Sequence, residues 1–394
     1  MADFHFSVFP RGTAVGADAS SLTGLLDGAL RRIESPERWR TANDGRFWCV
    51  VQPVDGEGPA QGWKLHVSAT PASAAPVLER CLPVLLAGDS PFRFALTTEH
   101  VAHLNARHTA RGHSGKFLTV YPRSDNQAVR LAAALHGATA GLPGPRILSD
   151  RPYAPDSLVY YRFGAFVEQR RITNDGLHAW VILDPDGNPV EDRRVGQYLP
   201  PAWAPCPFPE PGAPAAPQRA GGGTSHGKDV LLDERFLVRE AVRHMNKGGV
   251  YRAVDTRTGA PAIIKEARPH VAVDGTGRDV RDLLRAEARA LEALEPSGVS
   301  PRPLGLFEQG GHVFLAMELV PGVVLRQWVL DRIRGGGWRR DVPGCAGHGR
   351  PAGAADGGRA PVRPGSAGLH PEQRHGAPGR RAAPDRPRVR RGPR

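Results

Sequence analysis

Two spacings of hydrophobic residues alternate along the first 200 positions. Leu22, Leu25, Leu26, Ala29, Leu30 and Ile33 recur at steps of three and four behind Ser20, which predicts an amphipathic helix over 20–33; residues 127–142 repeat the pattern. Period-two alternation predicts strands at 63–69, 116–121, 158–166 and 178–183, the last running into the turn Asp184-Pro185-Asp186-Gly187. Helices and strands interleave in this way through about residue 203, which reads as an α+β domain.

From 204 to 228 Pro, Ala and Gly dominate and end in Gly221-Gly222-Gly223, a composition that buries too little apolar surface to order itself and so reads as a linker. Patterning returns over 229–330, with strands at 236–242, 250–254 and 262–265, a helix at 280–294 and a strand pair around 305–319. Beyond residue 330 it fades, and 331–394 is expected to be a disordered tail rich in Arg, Gly, Pro and Ala.

The formal charge of +12 changes the picture less than it promises. Residues 331–394 hold 15 arginines, no lysine and five acidic residues, so +10 sits in the tail and only +2 in the body. No basic stripe interleaved with aromatics lies in a foldable segment, which argues against a nucleic-acid partner. The four cysteines, Cys49, Cys81, Cys206 and Cys345, have no paired spacing for a metal knuckle or a disulfide framework. The N-terminus lacks a charged then apolar signal, and no apolar run is long enough for a membrane span, so a cytoplasmic protein is expected.

Candidate chemistry begins at Trp63-Lys64-Leu65-His66-Val67-Ser68, where alternation puts Trp63, Leu65 and Val67 on one face and Lys64, His66 and Ser68 on the other. The polar face is either a solvated sheet surface or an acid/base pair. Lys116 follows a glycine at the start of a predicted strand. Arg162 lies within the aromatic run Tyr160-Tyr161-Arg162-Phe163, where a guanidinium needs an anionic partner: a ligand, or a carboxylate such as Asp156 or Glu168.

The Lys-x-His pair, Ser114-Gly115-Lys116-Phe117-Leu118-Thr119-Val120-Tyr121-Pro122, Leu148-Ser149-Asp150-Arg151-Pro152-Tyr153 and Val159-Tyr160-Tyr161-Arg162-Phe163-Gly164 together resemble the N-terminal lyase domain of class III lanthipeptide synthetases. That domain is in turn similar to phosphothreonine lyases of bacterial effectors. The resemblance implies β-elimination of phosphate from phosphoserine or phosphothreonine of a precursor peptide, with Lys116 as base, His66 as general acid, and Lys64, Arg151, Arg162 and Arg130 contacting phosphate or carbonyl. It implies no metal or other cofactor for this half.

Residues 229–330 resemble a protein-kinase N-lobe and hinge. Val280, Leu284, Glu287, Leu291 and Leu294 follow one helix face, so a carboxylate sits in an apolar stripe and needs a cation, which Lys265 at the end of Ala262-Ile263-Ile264-Lys265 is placed to supply. The resemblance implies ATP with magnesium as the ligand, Lys265 and Glu287 as an orienting pair, Gly248, Gly249 and Val250 as the end of the glycine loop, and Glu318 at the hinge. Arg243 and Met245 stand where that loop's first glycines belong, which puts phosphate cradling by backbone amides in doubt. No catalytic-loop or magnesium-binding motif follows the hinge, and phosphoryl transfer is not expected without a complementing kinase; the family's cyclase is missing as well.

The tail admits a specific test. Codons can be chosen for 368–376 that, read one nucleotide later, spell Asp-Phe-Thr-Pro-Asn-Asn-Val-Met, similar to the missing kinase segment, so a frameshift is expected near codons 335–345. The competing reading of the whole chain is a non-catalytic pseudokinase-like module that binds a peptide or nucleotide, or an inactive gene remnant with an uncovered N-lobe surface.

Overall fold

The structure is a computed structural model that describes residues 21–55, 58–167, 170–172, 178–192, 198–209 and 230–334. The chain divides into two units, 1–321 and 322–394.

The N-terminal part is built on a seven-stranded sheet. Its strands are β1 (Trp39–Asn43), β2 (Trp48–Pro53), β3 (Gln61–Val67), β4 (Phe92–Ala95), β5 (Leu118–Val120), β6 (Arg151–Pro152) and β7 (Val159–Ala165), in the order β1-β2-β4-β5-β3-β7-β6. All neighbours pair antiparallel. Helices α1 (Thr23–Leu30), α2 (Ala74–Ala87), α3 (Thr98–Leu104) and α4 (Asp125–Thr139) supply one core with Leu65, Val67, Phe92, Phe94 and Tyr161 of the sheet. A smaller sheet, β8 (Arg170–Ile172), β9 (His178–Leu183) and β10 (Pro189–Glu191), follows in the order β10-β9-β8.

The α+β class expected from patterning is the class observed. The helix expected over 20–33 is α1, shorter by three residues at its C-terminal end, and the one over 127–142 is α4, entered through a Ser124 cap that accepts from the Gln127 amide. The expected linker starts later than its composition suggests. Ala204 and Phe208 are buried in the core, and Phe208 stacks on Tyr161 at 3.9 Å between ring centroids. Residues 210–228, the rest of the expected linker, lie outside the described residues, as does residue 229.

Residues 230–321 form a six-stranded antiparallel sheet with one long helix. Its strands are β11 (Val230–Leu232), β12 (Phe236–Met245), β13 (Gly248–Asp255), β14 (Pro261–Ala267), β15 (Pro303–Gln309) and β16 (His312–Glu318), in the order β11-β12-β13-β14-β16-β15, and α5 (Val280–Leu294) packs on β14, β15 and β16. Val280, Leu284 and Ala288 of α5 are buried against Val313, Leu315 and Met317, whereas Leu294 is exposed, so the apolar stripe ends a turn before the sequence pattern suggested. Asp279 caps α5 in a capping box with Asp282. The second unit is described over 322–334, chiefly helix α6 (Leu325–Arg334), in which the Arg332 guanidinium lies 4.3 Å from the Trp328 ring. The Arg-rich tail and the candidate frameshift lie outside the described residues. Among them, no helix is long and apolar enough to cross a membrane.

Candidate active site

β3 lies between β5 and β7, and the burial of its polar face excludes a solvated surface there. Lys64, His66 and Ser68 are as buried as the apolar residues between them. A buried lysine and histidine on one strand require compensating anions, and the fold brings two.

The first is Asp150, whose side chain is wholly buried in the segment before β6. Its Oδ2 lies 2.5 Å from His66 Nδ1 and its Oδ1 lies 3.0 Å from Lys116 Nζ. Ser149 Oγ donates to Oδ1 at 2.7 Å. One carboxylate therefore holds the side chains of two residues 50 positions apart in the chain, an ion-pair and hydrogen-bond network with a donor on each oxygen.

Protonation follows from this geometry. Burial lowers the pKa of His66 to about 3, with the Lys116 charge next in weight and Lys64 adding to it against the opposing pull of Asp150. The ring is therefore neutral at neutral pH, donating from Nδ1 to Asp150 and leaving Nε2 as an acceptor. Burial alone would push Asp150 up, but Lys116 and His66 outweigh it and hold its carboxyl well below the usual range.

The second anion is Asp192, just past β10. In the β3–β7 register Lys64 stands directly opposite Arg162, a like-charge pair that is unfavourable unless an anion lies between. Arg162 Nη2 donates to Asp192 Oδ1 at 2.8 Å, and Lys64 Nζ donates to the Ala165 carbonyl at 2.8 Å. Gly164 makes this approach possible: a Cβ there would lie 3.1 Å from Asp192 Oδ2 and 3.1 Å from Lys64 Cε. Asp192 is thus a carboxylate partner of Arg162; of the two expected, Glu168 lies outside the described residues.

Of the residues expected in the site, Lys64, His66, Lys116 and Arg162 converge. Two do not. Arg151 pairs in register with Tyr161, whose ring is in the helix-covered core, so the strand pleat puts Arg151 on the face opposite His66. Arg130 is exposed on α4, whose buried residues Ala128, Leu131, Ala132 and Leu135 are those that meet the sheet. Asp150 and Asp192 were missed. Asp150 stands inside a recognised motif beside an arginine, and nothing local marks it as the anion for His66; Asp192 lies in the charged run Glu191-Asp192-Arg193-Arg194, which reads as surface.

In the second sheet Lys265 is paired with Glu287 of α5 by a short hydrogen bond, and Val250 stands opposite Lys265 in the β13–β14 register. Both partners are more than a third exposed, so the pair is less buried than the apolar stripe implied. The two glycines serve close packing. A Cβ on Gly248, at φ +146°, would fall 1.9 Å from the Glu266 carbonyl oxygen, and one on Gly249 would fall 2.2 Å from the Tyr251 hydroxyl. The Gly249 amide donates to Glu266 Oε2 at 2.8 Å, and Tyr251 donates to the same oxygen. Burial would raise the pKa of Glu266, but His312 and Arg268, with Tyr251, hold it far below the usual range. A protein carboxylate thus occupies the Gly249 amide. Glu318, at the end of β16, accepts from the Arg302 amide at 3.0 Å. Among the described residues no cluster of three or more His, Cys, Asp or Glu side chains could hold a metal.

The chain is similar to known proteins in sequence and, weakly, in structure. Residues 28–220 match the family described as RamC, N-terminal domain. The chain is 36% identical over 297 residues to the "Probable SapB synthase" of Streptomyces coelicolor, covering 75% of this chain and 31% of that protein. It is 31% identical over 108 residues to the serine/threonine-protein kinase PknL of Mycobacterium tuberculosis, covering 27% of this chain and 25% of that one. The chain thus spans a third or less of the length of these relatives. Among solved structures, the type III effector and phosphothreonine lyase OspF of Shigella flexneri aligns with a TM-score of 0.27 and 15% identity, over 39% of this chain and 81% of that one. By the first two matches, residues 28–220 are similar to the RamC N-terminal domain family, in line with the lanthipeptide synthetase resemblance of the sequence motifs.

Proposed function

We propose that this chain eliminates phosphate from phosphoserine or phosphothreonine in a precursor peptide, leaving dehydroalanine or dehydrobutyrine. The observation that carries the reading is one buried carboxylate, Asp150, bonded on one oxygen to His66 and on the other to Lys116. β-Elimination breaks the Cα–H and Cβ–O bonds and forms a Cα=Cβ bond, so it needs a base at Cα and an acid at the departing oxygen, held a few ångströms apart. Lys116 is assigned as the base and His66 as the acid; Lys64 and Arg162 bind the phosphate and the developing enolate-like oxygen.

The charges support this division. Among the described residues, Lys64, Lys116 and Arg162 face Asp150 and Asp192, a balance that suits an incoming anion. Lys116 acts as base only as the neutral amine, and one proton passing from Lys116 to His66 across Asp150 leaves it neutral while charging the acid. A phosphate monoester has its second pKa near ~6 and can arrive with a proton. Its charge offsets Lys116 and Lys64, two of the influences that keep His66 neutral in the free site, so binding favours the imidazolium that the leaving phosphate requires. The lyase reaction needs no cofactor.

For the second half the reading is a partial nucleotide site. Lys265 and Glu287 fit the α/β-phosphates of ATP with magnesium, whereas Glu266 on the Gly249 amide does not favour a phosphate there. Phosphorylated peptide is then supplied by another kinase, and the working compartment is the cytoplasm. The test is Lys116→Ala in the full chain: elimination is lost while phosphopeptide binding, measured by fluorescence anisotropy, stays within about threefold, since the phosphate contacts remain. Elimination retained in that variant refutes the base assignment.

A further inference from the structure

The tip of the β12–β13 hairpin reaches into the lyase part of the molecule. Asn246, in the two-residue turn Asn246-Lys247, is 2% exposed, and neither of its side-chain polar atoms turns back to its own lobe. Its Oδ1 accepts from Ser114 Oγ at 2.6 Å, and its Nδ2 donates to the Ala106 carbonyl at 2.9 Å. Ser114 is itself fully buried and lies two residues before Lys116. Between them is Gly115 at φ +78°, where a Cβ would come 3.1 Å from Ile147 Cγ1.

A second bridge runs beside it. The Ala272 amide, also from the lobe, donates to the Asn105 carbonyl at 2.9 Å, and the Asn105 side chain donates at 2.7 Å to the Ala69 carbonyl, two residues past the end of β3. The lobe thus holds both segments that carry the chemistry: the 105–117 stretch leading to Lys116, and the end of the strand bearing Lys64 and His66.

We infer that Asn246 is a positioning residue for Lys116, and that the β12–β13 hairpin is a structural part of the elimination site, which makes the lyase activity depend on residues outside the lyase domain. The inference rests on the lyase reading above. Within the 105–115 stretch the His113 and Ser114 amides both return to the Ala110 carbonyl, which leaves the Ser114 side chain to tie the turn to the rest of the molecule. Lys116 must meet Asp150 and the substrate Cα within a narrow range; a misplacement of about 1 Å costs on the order of a hundredfold in rate. The Ser114–Asn246–Ala106 bonds fix that turn from the other side.

The experiment uses the full chain as wild type, Asn246→Ala, Ser114→Ala and the double variant, with single-turnover elimination from a phosphoserine peptide and amide hydrogen exchange across 105–118. The expected result is a fall in kcat of about tenfold or more in each single variant with KM within about threefold, a double variant no slower than the worse single one, and faster exchange in 105–118. Wild-type elimination with kcat and exchange unchanged in both variants overturns the inference. Should the wild type not eliminate at all, the lyase reading falls, and exchange alone decides: faster exchange in Asn246→Ala sustains the positional link, and unchanged exchange removes it. Ser114→Ala deletes a single hydroxyl and carries both readouts if Asn246→Ala fails to fold.

Discussion

Asp150→Asn tests the buried carboxylate at nearly constant volume. In the native site Oδ2 faces His66 Nδ1, and Oδ1 faces both Lys116 and Ser149. Asparagine keeps one acceptor oxygen and replaces the other with two N–H donors. With the oxygen turned to Lys116, the amide faces His66 Nδ1, and the ring can meet it only by moving its proton to Nε2, so the imidazolium with both nitrogens protonated loses its counter-charge and meets a donor instead. A hydrogen bond to a charged group is worth about 1.5–3 kcal/mol, and the lost ion pair adds to it, giving about 3–4 kcal/mol on the barrier. At about 1.4 kcal/mol per factor of ten, elimination slows by two to three orders of magnitude. The assay is single-turnover loss of phosphoric acid from a phosphoserine peptide, followed by mass spectrometry at pH 7.5 with enzyme in excess. A folded Asp150→Asn protein within about threefold of wild type would refute the reasoning.

Three further outcomes follow from the same geometry. His66 has a pKa of about 3 folded against an ordinary value of 6.5, so the unfolded chain takes up a proton first as the pH drops. Its contribution to stability is whole above about pH 6.5 and is lost on the way down to about 3; at pH 5 the loss is about 2 kcal/mol, read as a larger fall in urea-unfolding free energy between pH 7.5 and 5 for wild type than for His66→Gln, and equal falls would contradict it. Gly248→Ala drives a methyl into the Glu266 carbonyl at a backbone angle that alanine avoids, so it destabilises the 230–321 part by about 3 kcal/mol or more in thermal or urea unfolding, and a wild-type transition would show that the close approach relaxes freely. Arg130→Ala leaves the elimination rate within about twofold because the side chain points away from the sheet, whereas a tenfold loss would return it to the site.

The framework of the three sheets is legible wherever period-two or helical spacing is long and clean. The 178–183 strand and the 280–294 helix fall at the residues expected. Helix α2 is harder to read: its buried residues Ala74, Val77, Leu78, Cys81, Leu82, Leu85 and Leu86 do follow one helix face, but Pro83 inside it reads as a helix breaker and hides the pattern. The site follows the same rule. Lys64, His66 and Lys116 announce themselves by residue type and local motif, while Asp150 and Asp192 acquire their meaning only from pairings across 84 and 30 residues of chain. Arg151 and Arg130 were misplaced because sequence adjacency does not reveal which face of a strand or helix a side chain leaves from. Gly248 and Gly249 look like a phosphate loop, yet close packing against Glu266 and Tyr251 imposes the same residue type.

The most direct measurement is mass spectrometry of a phosphoserine-containing peptide incubated with the full chain and no added nucleotide. The account predicts loss of one phosphoric acid per phosphoserine, abolished by Lys116→Ala. No loss from a demonstrably folded wild-type chain that still binds the phosphopeptide would contradict it, and would make the Lys64, His66 and Arg162 cluster a phosphate-binding module without the chemistry.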